Sequence, residues 1–238
     1  MSLLLKKAVN LLLPQARCLA CDEPRRMTPG EALCTECQIK LEQLRIRENV
    51  CDHCLSPTRF NTPCAYCAQG GMVGIRRAYA PYVYRDITQK LIVRLKFGGA
   101  ALAAKPLADE MALCVSGMRF DAMVPVPLYK TQERERGFNQ SRLLCDIIHE
   151  HTGIPVLNAL QKMKKTVRQS SLPPEKRTKN VQGAFGLAIP VTGMEILLVD
   201  DVRTTGASVR ECARVLMISG AEAVYLLTAA IANPRRNA

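Results

Sequence analysis

Eight of the eleven cysteines in this 238-residue chain form four identical pairs within its first third. Every pair has the spacing C-x-x-C, and the pairs are Cys18 and Cys21, Cys34 and Cys37, Cys51 and Cys54, and Cys64 and Cys67. Two residues between thiolates form a knuckle that presents both sulfurs to one ion, and two knuckles complete a tetrahedral four-sulfur site. The pattern therefore predicts two structural zinc sites with no coordination position open to water.

The spacing alone does not decide which knuckles share an ion. Sequence order predicts that the first two knuckles hold one zinc and the last two hold another, but an interleaved arrangement satisfies the same spacing. Disulfides form in an oxidising compartment, and no secretory signal is recognisable near the start of the sequence. We therefore expect the cysteines to bind metal and not to form disulfides. Metal should supply much of the folding energy of so short and polar a segment. We predict a zinc-binding module with an N-terminal helix over residues 1–70 and a second domain over residues 71–238.

Residues 71–238 alternate between helical and strand-like patterns. Four segments are typical of helices: "DITQKLIVRLKFGG", "LADEMALCVSGM", "RLLCDIIHEHTG" and "GASVRECARVLMISGA". "MEILLVD" and "EAVYLLTAAIA" are apolar and branched enough for strands buried on both faces, "IPVLNALQ" predicts a short strand, and "IRRAYAPYVYRD" predicts a strand or hairpin. Strands that alternate with helices predict an α/β fold with a parallel sheet flanked by helices.

The stretch "LLVDDVRTTGASV" places two acids and a hydroxyl-rich loop directly after a buried strand. In parallel α/β sheets, ligands bind beyond the carboxyl ends of the strands, at the N-termini of helices. The backbone N–H groups of Thr204, Thr205, Gly206, Ala207 and Ser208 can surround a phosphate. Asp200 and Asp201 lie too close to be favourable neighbours of a phosphate alone, but they can accept hydrogen bonds from sugar hydroxyls. The alternative is a plain strand–helix junction.

This stretch resembles the phosphoribosyl-pyrophosphate (PRPP) signature of type I phosphoribosyltransferases. The resemblance implies that the Thr204–Ser208 loop binds a 5-phosphate, that Asp200 and Asp201 bind the ribose hydroxyls, and that Mg²⁺ bridges ribose and pyrophosphate. In that family a loop after an earlier strand binds pyrophosphate. The candidate here is "VPVPLYK", with Leu128, Tyr129 and Lys130 at its turn.

A narrower resemblance covers nearly the whole chain from Cys18 to Ile231. The paired knuckles, "VPVPLYKTQERERGFNQS", "RQSSLPPEKRTKNVQGAF" and "LLVDDVRTTGAS" resemble the ComF family of competence and DNA-utilisation proteins. The family joins a zinc-ribbon module to a phosphoribosyltransferase-like domain. The resemblance implies a role in natural transformation or in the use of DNA as a nutrient, with single-stranded DNA and other DNA-uptake proteins as partners.

The charge of the chain agrees with an anionic partner. The sequence contains 33 Lys and Arg against 21 Asp and Glu, a formal net charge of +12. Basic side chains can follow a phosphate backbone while nearby rings stack on bases. The candidates for nucleic-acid contact are Arg94, Lys96, Arg134, Arg136, Lys164, Lys165, Arg168 and Arg177. For the Lys-rich segment from Lys162 to Lys179 two other interpretations remain open, a solvated surface loop and the loop that closes over PRPP in transferases.

Two functional hypotheses follow. In the first, the protein handles single-stranded DNA and retains a PRPP or 5-phosphate pocket. In the second, it is an active phosphoribosyltransferase with an unknown acceptor. Thr204 stands where purine-specific transferases place an aspartate that exchanges a proton with the base, although orotate-type enzymes also have threonine there. No catalytic residue can be assigned from the sequence.

The first 13 residues can form an amphipathic helix that ends at Pro14. This segment can pack on the protein or contact a membrane surface or a partner. No stretch approaches the roughly 20 apolar residues that a transmembrane helix requires. We expect a cytoplasmic protein.

Overall fold

The computed structural model describes residues 15–47, 49–58, 64–166 and 180–232. The predicted helix over residues 1–13 and two of the predicted nucleic-acid contacts, Arg168 and Arg177, lie outside these residues. Within the described parts of the chain, none of the helices combines the length and the apolar character that crossing a bilayer demands.

The N-terminal part contains short elements around the cysteines. Strands β1 (Gln15–Arg17) and β2 (Pro24–Arg26) pair antiparallel, helix α1 covers Thr35–Glu42, and the single turn of α2 covers Ala65–Ala68. Cys34 and Cys64 immediately precede α1 and α2 as their N-cap residues. Each helix therefore begins at a cysteine and carries the second cysteine of the knuckle within its first turn.

A five-stranded sheet forms the centre of the remaining chain. Its strands are β3 (Ala78–Tyr79), β4 (Tyr82–Val83), β5 (Ala122–Pro125), β8 (Glu195–Arg203) and β9 (Ala223–Ile231). The order is β3-β9-β8-β5, with β4 also on β9, and every pair is parallel. Strands β6 (Leu160–Lys162) and β7 (Phe185–Leu187) form a separate antiparallel pair.

Helices cover both faces of the sheet, as the fully apolar strands predict. They are α3 (Asp86–Phe97), α4 (Lys105–Cys114), α5 (Lys130–Arg136), α6 (Gln140–Thr152) and α7 (Ala207–Ile218). Leu197 and Val199 of β8 pack in one core with α3, α4 and α6, whereas Ile196 and Leu198 pack in a second core with α7. We call these the first and the second face. The predicted parallel sheet flanked by helices is confirmed.

The structure refines three local predictions. The segment "IRRAYAPYVYRD" is an edge strand interrupted between β3 and β4, because both pieces pair with β9 in one register, and Pro81 lies in the gap. Helix α5 was not predicted from the sequence. In "IPVLNALQ", Val156 forms only an isolated bridge to Met123, and the regular strand begins later, at Leu160.

Candidate functional site

Two groups of four cysteine sulfurs come together in the structure. Cys18, Cys21, Cys34 and Cys37 form the first cluster, and Cys51, Cys54, Cys64 and Cys67 form the second. In each cluster the sulfurs lie within 4.8 Å of one another. The sequential pairing is therefore correct and the interleaved alternative is wrong. The N-terminal domain boundary at residue 70 stays a prediction.

The sulfur geometry fits a tetrahedral ion. Four thiolates about 2.3 Å from one zinc lie about 3.8 Å from each other. In the second cluster the Cys51 and Cys67 sulfurs are 3.8 Å apart and those of Cys54 and Cys64 are 3.4 Å apart. All eight cysteines carry free thiols. The donor set and its spacing suit two structural zinc ions, which would hold the knuckles closed.

Both acids of the signature lie on β8, at the carboxyl edge of the sheet. Asp201 is 5% exposed, and the Lys96 ammonium at the end of α3 lies 2.7 Å from its carboxylate. Burial by itself would lower the pKa of Lys96, but the Asp201 and Asp200 carboxylates outweigh that effect and raise the pKa. Lys96, which the sequence assigned to nucleic acid, is therefore engaged within the site.

Asp200 has a different environment from its neighbour. The Ser141 hydroxyl, in the first turn of α6, donates a hydrogen bond to its carboxylate at 3.1 Å. Burial, together with the charge of Asp201, raises the pKa of Asp200 to about 7, although Lys96 and Ser141 act in the opposite direction. Asp200 can therefore gain or lose a proton near neutral pH, and a cation at this position would favour its ionised form.

The Thr204–Ser208 loop leads directly into α7. Gly206 has a positive φ of 73° at the N-cap position, and no side chain caps the helix there. The first backbone N–H groups of α7 therefore point out of the helix without a side-chain acceptor at the cap. The Thr205 hydroxyl is buried and makes no hydrogen bond within the described residues. This arrangement can accept an anion, because helix N-termini carry partial positive charge.

The second predicted ligand loop lies at the same edge of the sheet. Leu128 and Tyr129 follow β5, and Lys130 begins α5. Because β5 pairs parallel with β8, both strands end toward the same side. Asn139 secures this loop, since its side-chain amide donates to the Val126 carbonyl at 3.1 Å. The structure thus brings the two loops to one edge of the sheet, and their binding of a ligand stays a prediction.

The "RGFNQS" segment has a structural basis. The Asn139 side chain caps α6 by accepting hydrogen bonds from the Ser141 and Arg142 backbone amides. Arg136 donates to the Gln140 amide oxygen at 2.8 Å, and its guanidinium lies 5.2 Å from the centre of the Phe97 ring. The segment therefore fixes the first turn of α6, from which Ser141 reaches Asp200.

The other predicted nucleic-acid contacts are spread over three elements. Arg94 of α3 pairs with Asp22 of the N-terminal part at 3.0 Å, and Arg134 is exposed on α5. Lys164 and Lys165 are exposed just after β6. Nearby Lys162 is half-buried, and burial lowers its pKa while the Asp200 carboxylate acts in the opposite direction. Their contact with nucleic acid stays a prediction.

Sequence reasoning missed three residues beside the loop and the acids. Ser141 binds Asp200, Tyr66 donates to the Thr205 carbonyl, and Arg203 donates to the Cys54 carbonyl. The serine was detectable, because it ends the quoted "RGFNQS" motif. The other two had no local signal, since their partners are 139 and 149 residues away.

Known proteins resemble the chain in both parts. A family model described as a double zinc ribbon domain matches residues 8–68. The likeness to solved structures is low: the glutamine PRPP amidotransferase of B. subtilis gives a TM-score of 0.38 at 22% identity, over 55% of this chain and 26% of that chain. Likeness at this level says nothing about activity.

Two curated relatives span most of the sequence. The DNA utilization protein YhgH of Salmonella typhimurium is 32% identical over 199 residues, which are 80% of this chain and 87% of that protein. The competence protein ComFC of Bacillus subtilis is 29% identical over 205 residues, 82% of this chain and 81% of that protein. With the double zinc ribbon, the paired acids and the "RGFNQS" segment in place, the chain belongs to the ComF family of competence and DNA-utilisation proteins.

Proposed function

We propose that this protein handles single-stranded DNA during DNA utilisation and binds a 5-phosphorylated pentose, as in PRPP or at a DNA end, at the carboxyl edge of its sheet. One observation carries the pocket: two carboxylates on β8 lie beside the uncapped start of the 12-residue helix α7. The Thr204–Ser208 loop binds the phosphate through its backbone amides, and Asp200 and Asp201 accept hydrogen bonds from the sugar.

The charges of the site support a metal–phosphate ligand. Lys96 compensates Asp201, but no basic side chain among the described residues forms an ion pair with Asp200. A carboxylate without a paired cation, next to an anion site, suits Mg²⁺, which binds through one or two carboxylates and ligand phosphates. Mg²⁺ bound with PRPP would supply the charge that lets Asp200 ionise, while Leu128, Tyr129 and Lys130 lie where the pyrophosphate would extend.

The neighbourhood of the pocket suits a nucleic-acid strand. The Phe97 ring is 55% exposed and lies against the Arg136 guanidinium, which together offer a stacking surface with positive charge. Arg134, Lys164 and Lys165 add exposed positive charge for a phosphate backbone. The names of the relatives, a DNA utilization protein and a competence protein, agree with such a role.

A second function rests on a different observation. Strands β6 and β7 pair antiparallel, and Lys162 at the end of β6 lies near enough to Asp200 for their charges to interact. In transferases of the resembled fold a loop closes over PRPP, and the Lys-rich sequence from Lys162 to Lys179 is the candidate for that loop. The alternative is therefore transfer of ribose 5-phosphate from PRPP to an acceptor that the sequence does not identify.

The test is a binding assay of the zinc-loaded protein with fluorescent single-stranded DNA, with and without PRPP and Mg²⁺. We expect salt-sensitive DNA binding, and calorimetric binding of Mg²⁺–PRPP. Reversing charge with Lys164→Glu and Lys165→Glu should weaken DNA binding by about ten-fold or more and leave PRPP binding unchanged. The double substitution Asp200→Asn with Asp201→Asn should weaken PRPP binding and leave DNA binding unchanged.

The matched control replaces two partly exposed acids on α4 and α6, Asp109→Asn and Asp146→Asn, which pair with Lys105 and Arg142 of their own helices, and it should change neither affinity. The DNA-handling role is rejected if no DNA affinity appears at low ionic strength. The transferase alternative requires release of pyrophosphate from PRPP in the presence of an acceptor, and Asp200→Asn with Asp201→Asn should abolish that release.

A further inference from the structure

We propose that the second cluster positions the Thr204–Ser208 loop, with Tyr66 and Arg203 as the positioning residues. The functional part of this inference rests on the proposed phosphate site. The structural part, that the zinc-binding knuckle fixes the position of the loop, is argued from hydrogen bonds between residues of the second cluster's knuckles and residues 203–205.

Tyr66 links the two regions directly. It lies in α2, between the ligands Cys64 and Cys67, and its hydroxyl donates to the Thr205 carbonyl at 2.8 Å. A carbonyl engaged from outside the loop fixes the orientation of the peptide that precedes Gly206. The next N–H groups, which start α7, are thereby aimed at a fixed point.

The glycines around Tyr66 show how closely the two regions approach. A Cβ atom added to Gly206 would lie 2.8 Å from the Tyr66 hydroxyl, and one added to Gly71 would lie 2.5 Å from the Tyr66 ring. Neither position has room for a side chain while Tyr66 keeps its place. Gly206 is thus required by its positive φ and also by the contact with the knuckle.

Arg203 makes the second link, from the end of β8. The side chain is 2% exposed, and its guanidinium donates to the Cys54 carbonyl at 2.9 Å and to the Ser56 hydroxyl at 3.1 Å. The same guanidinium lies 5.8 Å from the centre of the Tyr66 ring. A buried charge is costly without a compensating partner. Four thiolates around Zn²⁺ carry a formal charge of −2, which would compensate Arg203.

These contacts depend on the metal ligands. Helix α2 has four residues, too few to be stable without tertiary contacts or metal ligation. Cys64 and Cys67 tie it to Cys51 and Cys54, which are fully buried in the second core. With all four sulfurs on one ion, the Tyr66 ring and the Cys54 carbonyl are held rigidly. Without the ion, both partners of the loop are released.

The first cluster provides an internal control. Its surroundings connect to α3, through the ion pair of Asp22 with Arg94 and the contacts of α1 with that helix. Among the described residues, none of the hydrogen bonds of its four cysteines reaches residues 203–208. Loss of metal from the first cluster should therefore leave the loop unchanged.

The experiment measures amide hydrogen exchange over residues 203–209 in the zinc-loaded protein without ligand. Tyr66→Phe removes one hydroxyl and keeps the ring, so exchange there should rise about five-fold, as expected for one neutral hydrogen bond. Tyr225→Phe is the matched control, because this half-buried tyrosine donates to Glu195 at the opposite end of β8. Equal exchange in the two variants would overturn the proposal.

A second pair of variants tests the metal sites. Cys64→Ser and Cys21→Ser each replace a partly buried ligand, one in each cluster. Zinc content should fall in both variants, and exchange over residues 203–209 should rise more than ten-fold only in Cys64→Ser. A rise in both variants or in neither contradicts the proposal. If Cys64→Ser does not fold, the tyrosine pair still decides.

Calorimetry with ribose 5-phosphate separates this inference from the proposed function. If the wild-type protein binds this probe, Tyr66→Phe should weaken its affinity about five-fold at unchanged zinc content. If the wild-type protein does not bind it, the phosphate site is rejected. The exchange measurement still decides whether the second cluster positions the loop.

Discussion

The two cysteine clusters have the same ligands and the same knuckle spacing, but they support different faces of the sheet. Cys18, Cys34 and Cys37 of the first cluster are part of the core on the first face, and Cys51 and Cys54 of the second are part of the core on the second face. The knuckles of the second cluster are hydrogen-bonded to the end of β8 and the following loop through Cys54 and Tyr66, and within the part of the chain that the structure describes the first cluster makes no such bond. The C-x-x-C spacing thus determines which ion a cluster can bind, while the residues packed around the cluster determine which part of the fold it supports.

The two acids of β8 differ in a related way. Asp201 is paired with Lys96 of α3, which packs on the first face. Asp200 accepts a hydrogen bond from Ser141 of α6, on the first face, and also adds to the effect of burial in raising the pKa of Cys212 on α7, on the second face. One acid is compensated within the protein, and the other has a raised pKa. The site therefore has an ion-paired carboxylate at Asp201 and, at Asp200, a carboxyl with a raised pKa.

Metal removal should give the largest effects. Cys18→Ser and Cys51→Ser each replace a fully buried ligand, and each should lower the zinc content from two ions to one per chain by metal analysis. Structural zinc contributes about 10 kcal/mol to such sites, so thermal unfolding should shift down by about 10 °C or more in both. Only Cys51→Ser should also abolish ribose 5-phosphate binding. Equal affinity of the two variants for ribose 5-phosphate would show that the two clusters do not differ in their effect on the loop.

The second largest effect concerns the arginines beside the two clusters, whose replacement should lower the free energy of unfolding by different amounts. Arg203→Met leaves the Cys54 carbonyl and the Ser56 hydroxyl without their donor, and we expect a loss of about 3 to 5 kcal/mol in the free energy of unfolding. Arg25→Met removes an exposed pair with Glu36 at 3.5 Å near the first cluster, and because solvent screens such a pair, its loss should change the free energy of unfolding far less. Urea denaturation with the zinc retained measures both. A small loss for Arg203→Met would mean that its charge is not structurally required.

Substitution of the two acids should have opposite effects on stability. The pKa of Asp200 is raised in the folded protein, so its stabilising contribution is present below pH 4 and is lost as the pH rises through about 7. Asp200→Asn should therefore raise the free energy of unfolding by about 2 to 4 kcal/mol at pH 8 and by almost nothing at pH 4. Asp201→Asn should lower it, because Lys96 loses its partner. Thermal unfolding of the ligand-free protein at both pH values tests this contrast.

The smallest expected effect concerns Ser141. Its hydrogen bond favours the ionised form of Asp200, so Ser141→Ala should raise the pKa of that carboxyl slightly further. Binding of Mg²⁺–PRPP, which we expect to strengthen as the pH rises through 7, should then require a correspondingly higher pH. The exposed Ser116→Ala is the control. An unchanged pH profile in Ser141→Ala would show that this hydrogen bond does not tune Asp200.

Features that depend on short spacings were predictable from the sequence. Each C-x-x-C knuckle, the apolar strand before Asp200 and the hydroxyl-rich loop after it are set by residues within about one helical turn or one strand of each other. Local spacing fixes which side chains share a face or a turn, whatever the rest of the chain does. The metal ligands, the sheet class and the place of the loop followed from this.

The tertiary structure decided which of these local features meet. The cysteine knuckles pair sequentially and not in the interleaved arrangement. Lys96, whose charge suggested contact with nucleic acid, forms an ion pair with Asp201. The tertiary structure also brought Tyr66 of a metal knuckle to Thr205, across 139 residues. Such contacts depend on the path of the whole chain and on how its cores pack, and neighbouring residues carry no signal of them. The sequence by itself determined an α/β protein with two four-cysteine sites and a loop suited to phosphate, and only the folded chain placed the second cysteine cluster against that loop.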